Sequence, residues 1–457
     1  MKILKAIISS TLLLAALVTP AAAQATAPVA SSATAPADSK PSKVAPTGLA
    51  AEVNEKLPEW VRFGGEYRFR FESVSGVKGV EDTQDGYALS RLRLDLLFKA
   101  GKHVRLFVQG QDSQVGNFAA NPDPPIHENT FDLRQAWIEF RQSEKTGWAF
   151  KVGRQELNYG DQRLVGALNW TNTTRVFDAA KLSYTDERFN VDAFASSVVV
   201  IQDNVFDKHA DGANFYGVYG SLFKTLPKGQ IDGYAFWRTA PLVLDEKLRT
   251  GDADTWTFGT RIAGKAGSRV DYGIEAVGQS GTFASTDIGA AAFHGRMSFA
   301  VWKDARYPRP RVEYNFASGD SDPTDGKRGT FDQLFPTAHD KNGLIDQVGW
   351  KNLHKYRIGA TMKPHSRVTI DLDYSDFWLA EAKDGLYDVG GNLVARIVTG
   401  APDRHVAREF DVQSNITVAN GVTLGVGYGH WFPGEFWKAA TPGASRDFFY
   451  TSLTYRF

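Results

Sequence analysis

Arginines set two residues apart are the first feature of this chain that could do chemistry: Arg68 and Arg70 alternate with Tyr67, Phe69 and Phe71, and Arg91 and Arg93 alternate with leucines. Arg62, Arg105, Arg261, Arg296, Arg311, Lys355, Arg357 and Arg367 stand in the same relation to apolar neighbours. A guanidinium keeps its proton in a protein, so it offers neither a general base nor a nucleophile. Several of them fixed around a narrow water passage instead attract carboxylates, because their summed field is incompletely screened there. The same faces carry Glu66, Glu72, Asp95, Asp271, Glu275, Glu313, Asp371, Asp373, Glu409 and Asp411. With nearly as many acids as bases, cross-strand ion-pair ladders are the competing reading for any one pair. His294, His339, His354, His365, His405 and His430 sit in no local arrangement that marks a nucleophile and its base. No catalytic residue and no cofactor is assigned, and the chain is read as a non-enzyme.

Two other stretches carry unusual chemistry. The run from Gly153 to Arg163 reads GRQELNYGDQR and is trailed by Trp170, Asn172, Arg175, Phe177 and Asp178. It follows a strand-like segment, so it begins at a rim where a loop folding inward would narrow a channel. Strict alternation places Arg154 on the side of Phe150 and Val152, and a bulge at Gly153 would turn it inward. Arg134, beside Ala136 and Ile138, needs a similar turn. Ala317 to Trp350 runs for more than thirty residues without alternation. That is too long for an idle connection and reads as a segment that covers or enters a pore. Asp320, Asp322, Asp325 and Gly326 come near a calcium loop, but they miss its register and lack the twelfth-position Glu. Metal ligands are left unassigned.

These groups need walls to hold them, and the wall pattern is clearest from Val61 to Glu72. Phe63, Tyr67, Phe69 and Phe71 face one way, and Arg62, Glu66, Arg68, Arg70 and Glu72 face the other. This two-residue period predicts a strand with lipid on one side and a charged aqueous lumen on the other. Arg91 to Leu96 and Val104 to Gln109 repeat it, with Gly101 and Lys102 as a short turn between them. About eighteen such runs are expected, an even number suited to a closed antiparallel transmembrane β-barrel, all-β, with long extracellular loops. The chain stops on Phe449 to Phe457, which alternates to the last aromatic. That ending looks like the signal by which barrel-assembly machinery recognises outer-membrane barrels.

Of 457 residues 42% are hydrophobic, yet the mean hydropathy is below zero, as half-polar strands require. Charged n-region, apolar run and Ala21-Ala22-Ala23 predict a signal peptide over 1–23. An Ala/Pro-rich periplasmic linker without fold is expected over 24–57 and a barrel in the outer membrane over 58–457, with lipid as its partner. The 0 Cys exclude disulfides and thiolate metal sites, and 52 basic against 52 acidic residues with no basic motif argue against nucleic acid.

From about Phe63 to Phe457 the chain resembles the alginate export family of outer-membrane barrels. The resemblance rests on Leu133-Arg134-Gln135-Ala136-Trp137, on GRQELNYGDQR with its trailing residues, and on SGD followed by DGK, TFDQLFPTAHD and GW. It implies an eighteen-stranded barrel whose arginine-lined pore, narrowed by internal loops, passes an anionic uronate polymer outward. Arg134, Arg154, Asp161 and Arg163 are the positions carried over, beside the lumen set Arg68, Arg70, Arg91, Arg93, Arg105, Lys355 and Arg357. Uptake of small acidic or sugar-like solutes is the alternative.

Overall fold

An apolar strand face is stable only where something apolar covers it, and lipid covers it around the outside of a barrel. In the computed structural model, which describes residues 48–117, 119, 126–226, 228–244, 249–339 and 341–457, eighteen strands build one closed wall. They are β1 (Val61–Ser75), β2 (Gln84–Ala100), β3 (Val104–Gly116), β4 (Asn129–Arg141), β5 (Gly147–Gln155) and β6 (Phe177–Thr185). Next come β7 (Phe189–Val200), β8 (Lys208–Phe223), β9 (Gly229–Leu244), β10 (Thr250–Ala266), β11 (Val270–Phe283) and β12 (Thr286–Phe299). The last six are β13 (Arg309–Ala317), β14 (Leu353–His365), β15 (Val368–Leu379), β16 (His405–Ala419), β17 (Val422–Pro433) and β18 (Arg446–Arg456). Each pairs antiparallel with its chain neighbours. β18 returns to β1 with Glu66 opposite Arg456 and Val74 opposite Phe448, so the sheet has no free edge. The expected fold class and strand number are those observed.

Alternation sorts the side chains as expected. Phe69, Phe71, Leu94 and Leu96 are exposed on the outside, while Arg68, Arg70, Arg91 and Arg93 on the same two strands are buried within. Tight turns join the strands at one end, as at Gly101, whose φ is +66°. The long connections 156–176, 318–352 and 380–404 all lie at the other end, which is the outer one in a bacterial barrel. Inward side chains near that end are buried, whereas Arg62, Glu66, Asp95 and Lys99, nearer the tight turns, keep partial exposure. Folded loops therefore fill the outer half of the lumen; below them the inward groups of β1 and β2 keep partial exposure, whereas Asp192, Ser221 and Asp232, near the tight turns of β7, β8 and β9, are buried.

The segment expected to lack structure through residue 57 differs in its last part, which forms α1 (Leu49–Lys56). Ala50 is fully buried. The Asn54 carboxamide donates to the Phe63 carbonyl and accepts from the Phe63 amide, both at 2.8 Å. Backbone pairing at this seam ends with Gly65, which exchanges hydrogen bonds with Phe457 just past β18, so Asn54 satisfies backbone groups that β1 presents beyond the end of its partner. The expected signal peptide and the linker up to residue 47 lie outside the described residues.

Candidate functional site

Two of the long connections turn into the barrel and join each other. Gly166 N donates to Phe335 O (2.9 Å) and Phe335 N to Leu164 O (2.8 Å), a single parallel bridge between 156–176 and 318–352, and Thr337 N donates to Gln162 O (2.9 Å) beside it. Gly166 permits the approach, since a Cβ there would lie 2.4 Å from Thr337 Oγ1. An apolar cluster cements the pair to the inner wall. Phe335 meets Phe177 and Phe215 edge-on at 5.3 and 5.0 Å, and Tyr159 stacks on Tyr219 at 4.7 Å. A barrel lumen thus contains its own hydrophobic core.

The tip of the first loop is held by the paired arginines. Arg68 donates to the carbonyls of Asn169 (3.2 Å) and Thr171 (3.1 Å), and Arg91 to the same two at 3.1 and 3.0 Å. Arg93 reaches Asn169 Oδ1, Thr174 Oγ1 and Gln111 Oε1. Arg70 donates to Trp170 O (2.6 Å) and lies over the Trp170 ring at 3.8 Å, while His339 stacks on the other face at 3.7 Å and 5°. Trp170 is therefore clamped between the wall and the second loop. Arg91 is paired with Glu66 and Arg70 with Glu72, each at 2.6 Å. Arg68 and Arg93 have only neutral oxygens as hydrogen-bond partners among the described residues.

Arg134 and Arg154 separate. The β3–β4 register slips between Gln109 and Gly110, leaving no residue opposite Arg134. Arg134 and Gln135 both reach Gln109 Oε1 inside the barrel, and Arg134 also bonds Thr174 and Glu156. The expected inward turn of Arg154 is not found. Register through Gly153 is unbroken on both sides, so Arg154 stands opposite Asp178 on the outer face with Phe150, Val152 and Leu182. There it pairs with Asp178 and donates to the carbonyls of Leu133 and Asp207, capping strand edges at the point where β5 ends. The bulge lies one strand earlier than the glycine suggested.

The remaining candidates anchor loops. Arg261 on β10 binds Asp161 Oδ1 (2.5 Å) and Asp232 (2.9 Å), and Arg163 is 3.4 Å from Glu313. Lys355 and Arg357 both donate to Lys341 O, at 2.5 and 2.8 Å. Arg105 lies on the inward row near the tight-turn end, opposite Glu139. Burial pushes the Asp161 carboxyl up, but Arg261 and Arg163 outweigh it and hold it at about 2. Burial likewise opposes the Glu156 charge, yet Arg134 keeps that carboxyl below the usual range. Arg175, buried and repelled by Arg238, comes down to about 10. Asp322 and Asp325 accept backbone amides of Thr324 and Lys327, and among the described residues no group of three or more His, Asp or Glu is placed to hold a metal.

Sequence reasoning missed Gln111, Asn169, Thr171 and Thr174. The available signal was the polar run Gln109, Gln111 and Ser113 at alternate positions of β3, which marks an inward face needing polar partners. Chemically, the arrangement sets fixed guanidiniums of the inner wall against the polar groups of the inward loops.

Among solved structures the barrel is similar to the outer membrane protein opdK from Pseudomonas aeruginosa, with a TM-score of 0.61, 9% identity and 87% and 98% of the two chains covered. A BenF-like porin from Pseudomonas fluorescens Pf-5 gives 0.59, 9%, 87% and 98%. Pseudomonas aeruginosa OpdK with vanillate gives 0.56, 8%, 86% and 98%. At these identities the likeness is one of fold, and no curated protein matches the sequence. The family described as alginate export matches residues 59–451, from just before β1 into β18 and across both inward loops. The chain belongs to the alginate export family, and its barrel is that of an outer-membrane channel.

Proposed function

We propose that this channel passes anionic solutes, with an alginate-type uronate polymer moving outward as the reading that family membership favours. One observation carries it: Arg68 and Arg93 are 7% and 8% exposed, and their hydrogen bonds among the described residues go to neutral oxygens. Burying a charge that no carboxylate contacts directly is costly, so this wall favours any carboxylate that comes within reach. A carboxylate can also take a guanidinium through two parallel charge-assisted hydrogen bonds, which a single neutral oxygen cannot offer. Glu66, Glu72 and Glu156 neutralise Arg91, Arg70 and Arg134, which makes the selectivity weak to moderate. Uptake of small acidic solutes is the second reading. The filled outer half of the lumen favours it, and the similar barrel OpdK was solved with vanillate, itself a carboxylate. Conductance in planar bilayers with uronate oligomers, short carboxylates and neutral sugars as competing blockers separates the two. Block by oligomers at lower concentration than by monomers supports the polymer, equal block supports the small acids, and block by neutral sugars alone contradicts both.

A further inference from the structure

At the long-loop end of the outer surface a polar row crosses four strands. Tyr356 on β14, Asp376 on β15, Arg408 on β16 and Phe432 on β17 stand opposite one another in register. The face is the lipid-facing one, since Tyr356, Ile358 and Phe432 on it are 52%, 62% and 46% exposed. Arg408 is among them with its side chain 51% exposed. One step nearer the rim, the β15–β16 register skips Val406, and this bulge sets His405 outward beside Trp378 at 4.6 Å. His405 Nε2 lies 2.9 Å from Asp376 Oδ1, and Arg408 Nε lies 3.7 Å from the same oxygen. His354 lies in the next column, 2.9 Å from the Tyr314 hydroxyl.

A single carboxylate here faces an imidazole and a guanidinium, and it is within hydrogen-bond distance of the imidazole alone. The terminal nitrogens of Arg408 have no acceptor among the described residues. An arginine on the lipid face of a barrel costs about 2–4 kcal/mol at the bilayer midplane and about 0–1 near the interface. The position at the loop end, within a girdle of Tyr314, Tyr356, Trp378 and Phe432, fixes it at headgroup depth. An exposed guanidinium fork at that depth matches a phosphate, which it binds through two parallel hydrogen bonds.

We propose that Arg408, with His405 beside it on the same strand, is a binding site for the phosphate of an anionic lipid headgroup in the outer leaflet. The surrounding aromatic rings supply the apolar contact that a free anion could not use, so the site takes a lipid-borne phosphate. It is separate from the solute path, because the wall lies between them: Ala407 and Glu409, the chain neighbours of Arg408, are buried on the inner side.

The test uses the full chain folded into vesicles of phosphatidylcholine containing bisphosphorylated lipid A, or lipid A stripped of its phosphates, with lipid retention read by native mass spectrometry after extraction. Wild type should retain the phosphorylated lipid and not the stripped one. Arg408→Gln should lower retention about fivefold, the worth of one cationic side chain at a charged membrane surface, and Arg408→Lys should restore most of it. Asp376→Asn should raise retention by removing the competing carboxylate, an effect that a merely structural ion pair would not give. Equal retention by Arg408→Gln and wild type would overturn the site. So would equal retention of both lipids, or displacement of the lipid by inorganic phosphate alone.

Discussion

Trp170 is the side chain on which both inward loops and the wall converge, and replacing it by Ala tests whether the loop tip is a docked element. The ring lies between Arg70 at 3.8 Å and His339 at 3.7 Å, with Tyr450 edge-on at 4.9 Å. A large buried aromatic truncated to Ala costs about 3–5 kcal/mol, and partial exposure of Trp170 places the change at about 3 kcal/mol. At about 1.4 kcal/mol per factor of ten, the undocked tip gains roughly a hundredfold in population. The strand ladder does not include Trp170, so heat-dependent gel mobility should report a barrel as stable as the wild type. Single-channel recordings should instead show more frequent and longer high-conductance events. His339→Ala should give a smaller change in the same direction, because Arg70 still covers the other ring face. A Trp170→Ala channel with wild-type conductance and wild-type gating would refute a docked tip held by this stack.

Arg154→Ala should leave the reversal potential unchanged and lower barrel stability, because the side chain caps Leu133 and Asp207 on the outer face; a selectivity shift as large as that of Arg91→Ala would return it to the solute path. Asn54→Ala exposes the Phe63 amide and carbonyl without a partner and should cost about 1–3 kcal/mol in urea unfolding; an unchanged midpoint would remove α1 from the seam. Asp161, held at about 2 by Arg261, lies below its ordinary value. Its anchoring is therefore fully present above that ordinary value and lost as pH falls through the depressed one. Wild-type channels should keep their resting conductance down to about pH 4 and lose it at more acid pH, while Asp161→Asn channels should show the raised level already at neutral pH; a resting level indifferent to both changes would contradict the anchor.

The barrel was legible because its pattern is local. Phe63 to Glu72 alternates within a few residues, and the same test applied strand after strand counts to eighteen. Arg68, Arg70, Arg91 and Arg93 were placed inward by the same rule. Arg134 and Arg154 were not separable in this way, because a bulge depends on the partner strand, here the slip of β4 against Gln109 and Gly110. A positive φ at Gly153 marked a close approach to Ala136 O without a change of face. The short helix α1 sits at the end of a low-complexity run, and its support comes from Phe63 and the β1–β18 seam. The partners of the arginines were hidden for the same reason: Asn169 and Thr171 are about a hundred residues away from Arg68 and meet it only once the loop has turned inward.

Reversal potential under a salt gradient, compared between wild type and a channel carrying Arg68→Ala and Arg93→Ala together, tests most directly the claim that wall cations with no directly bound carboxylate set the traffic. The wild type should prefer anions weakly to moderately, and the double variant should shift towards cations with weaker block by uronate oligomers. A wild-type channel that already prefers cations, or a double variant with an unchanged reversal potential, would contradict the account and leave the arginines as loop anchors alone.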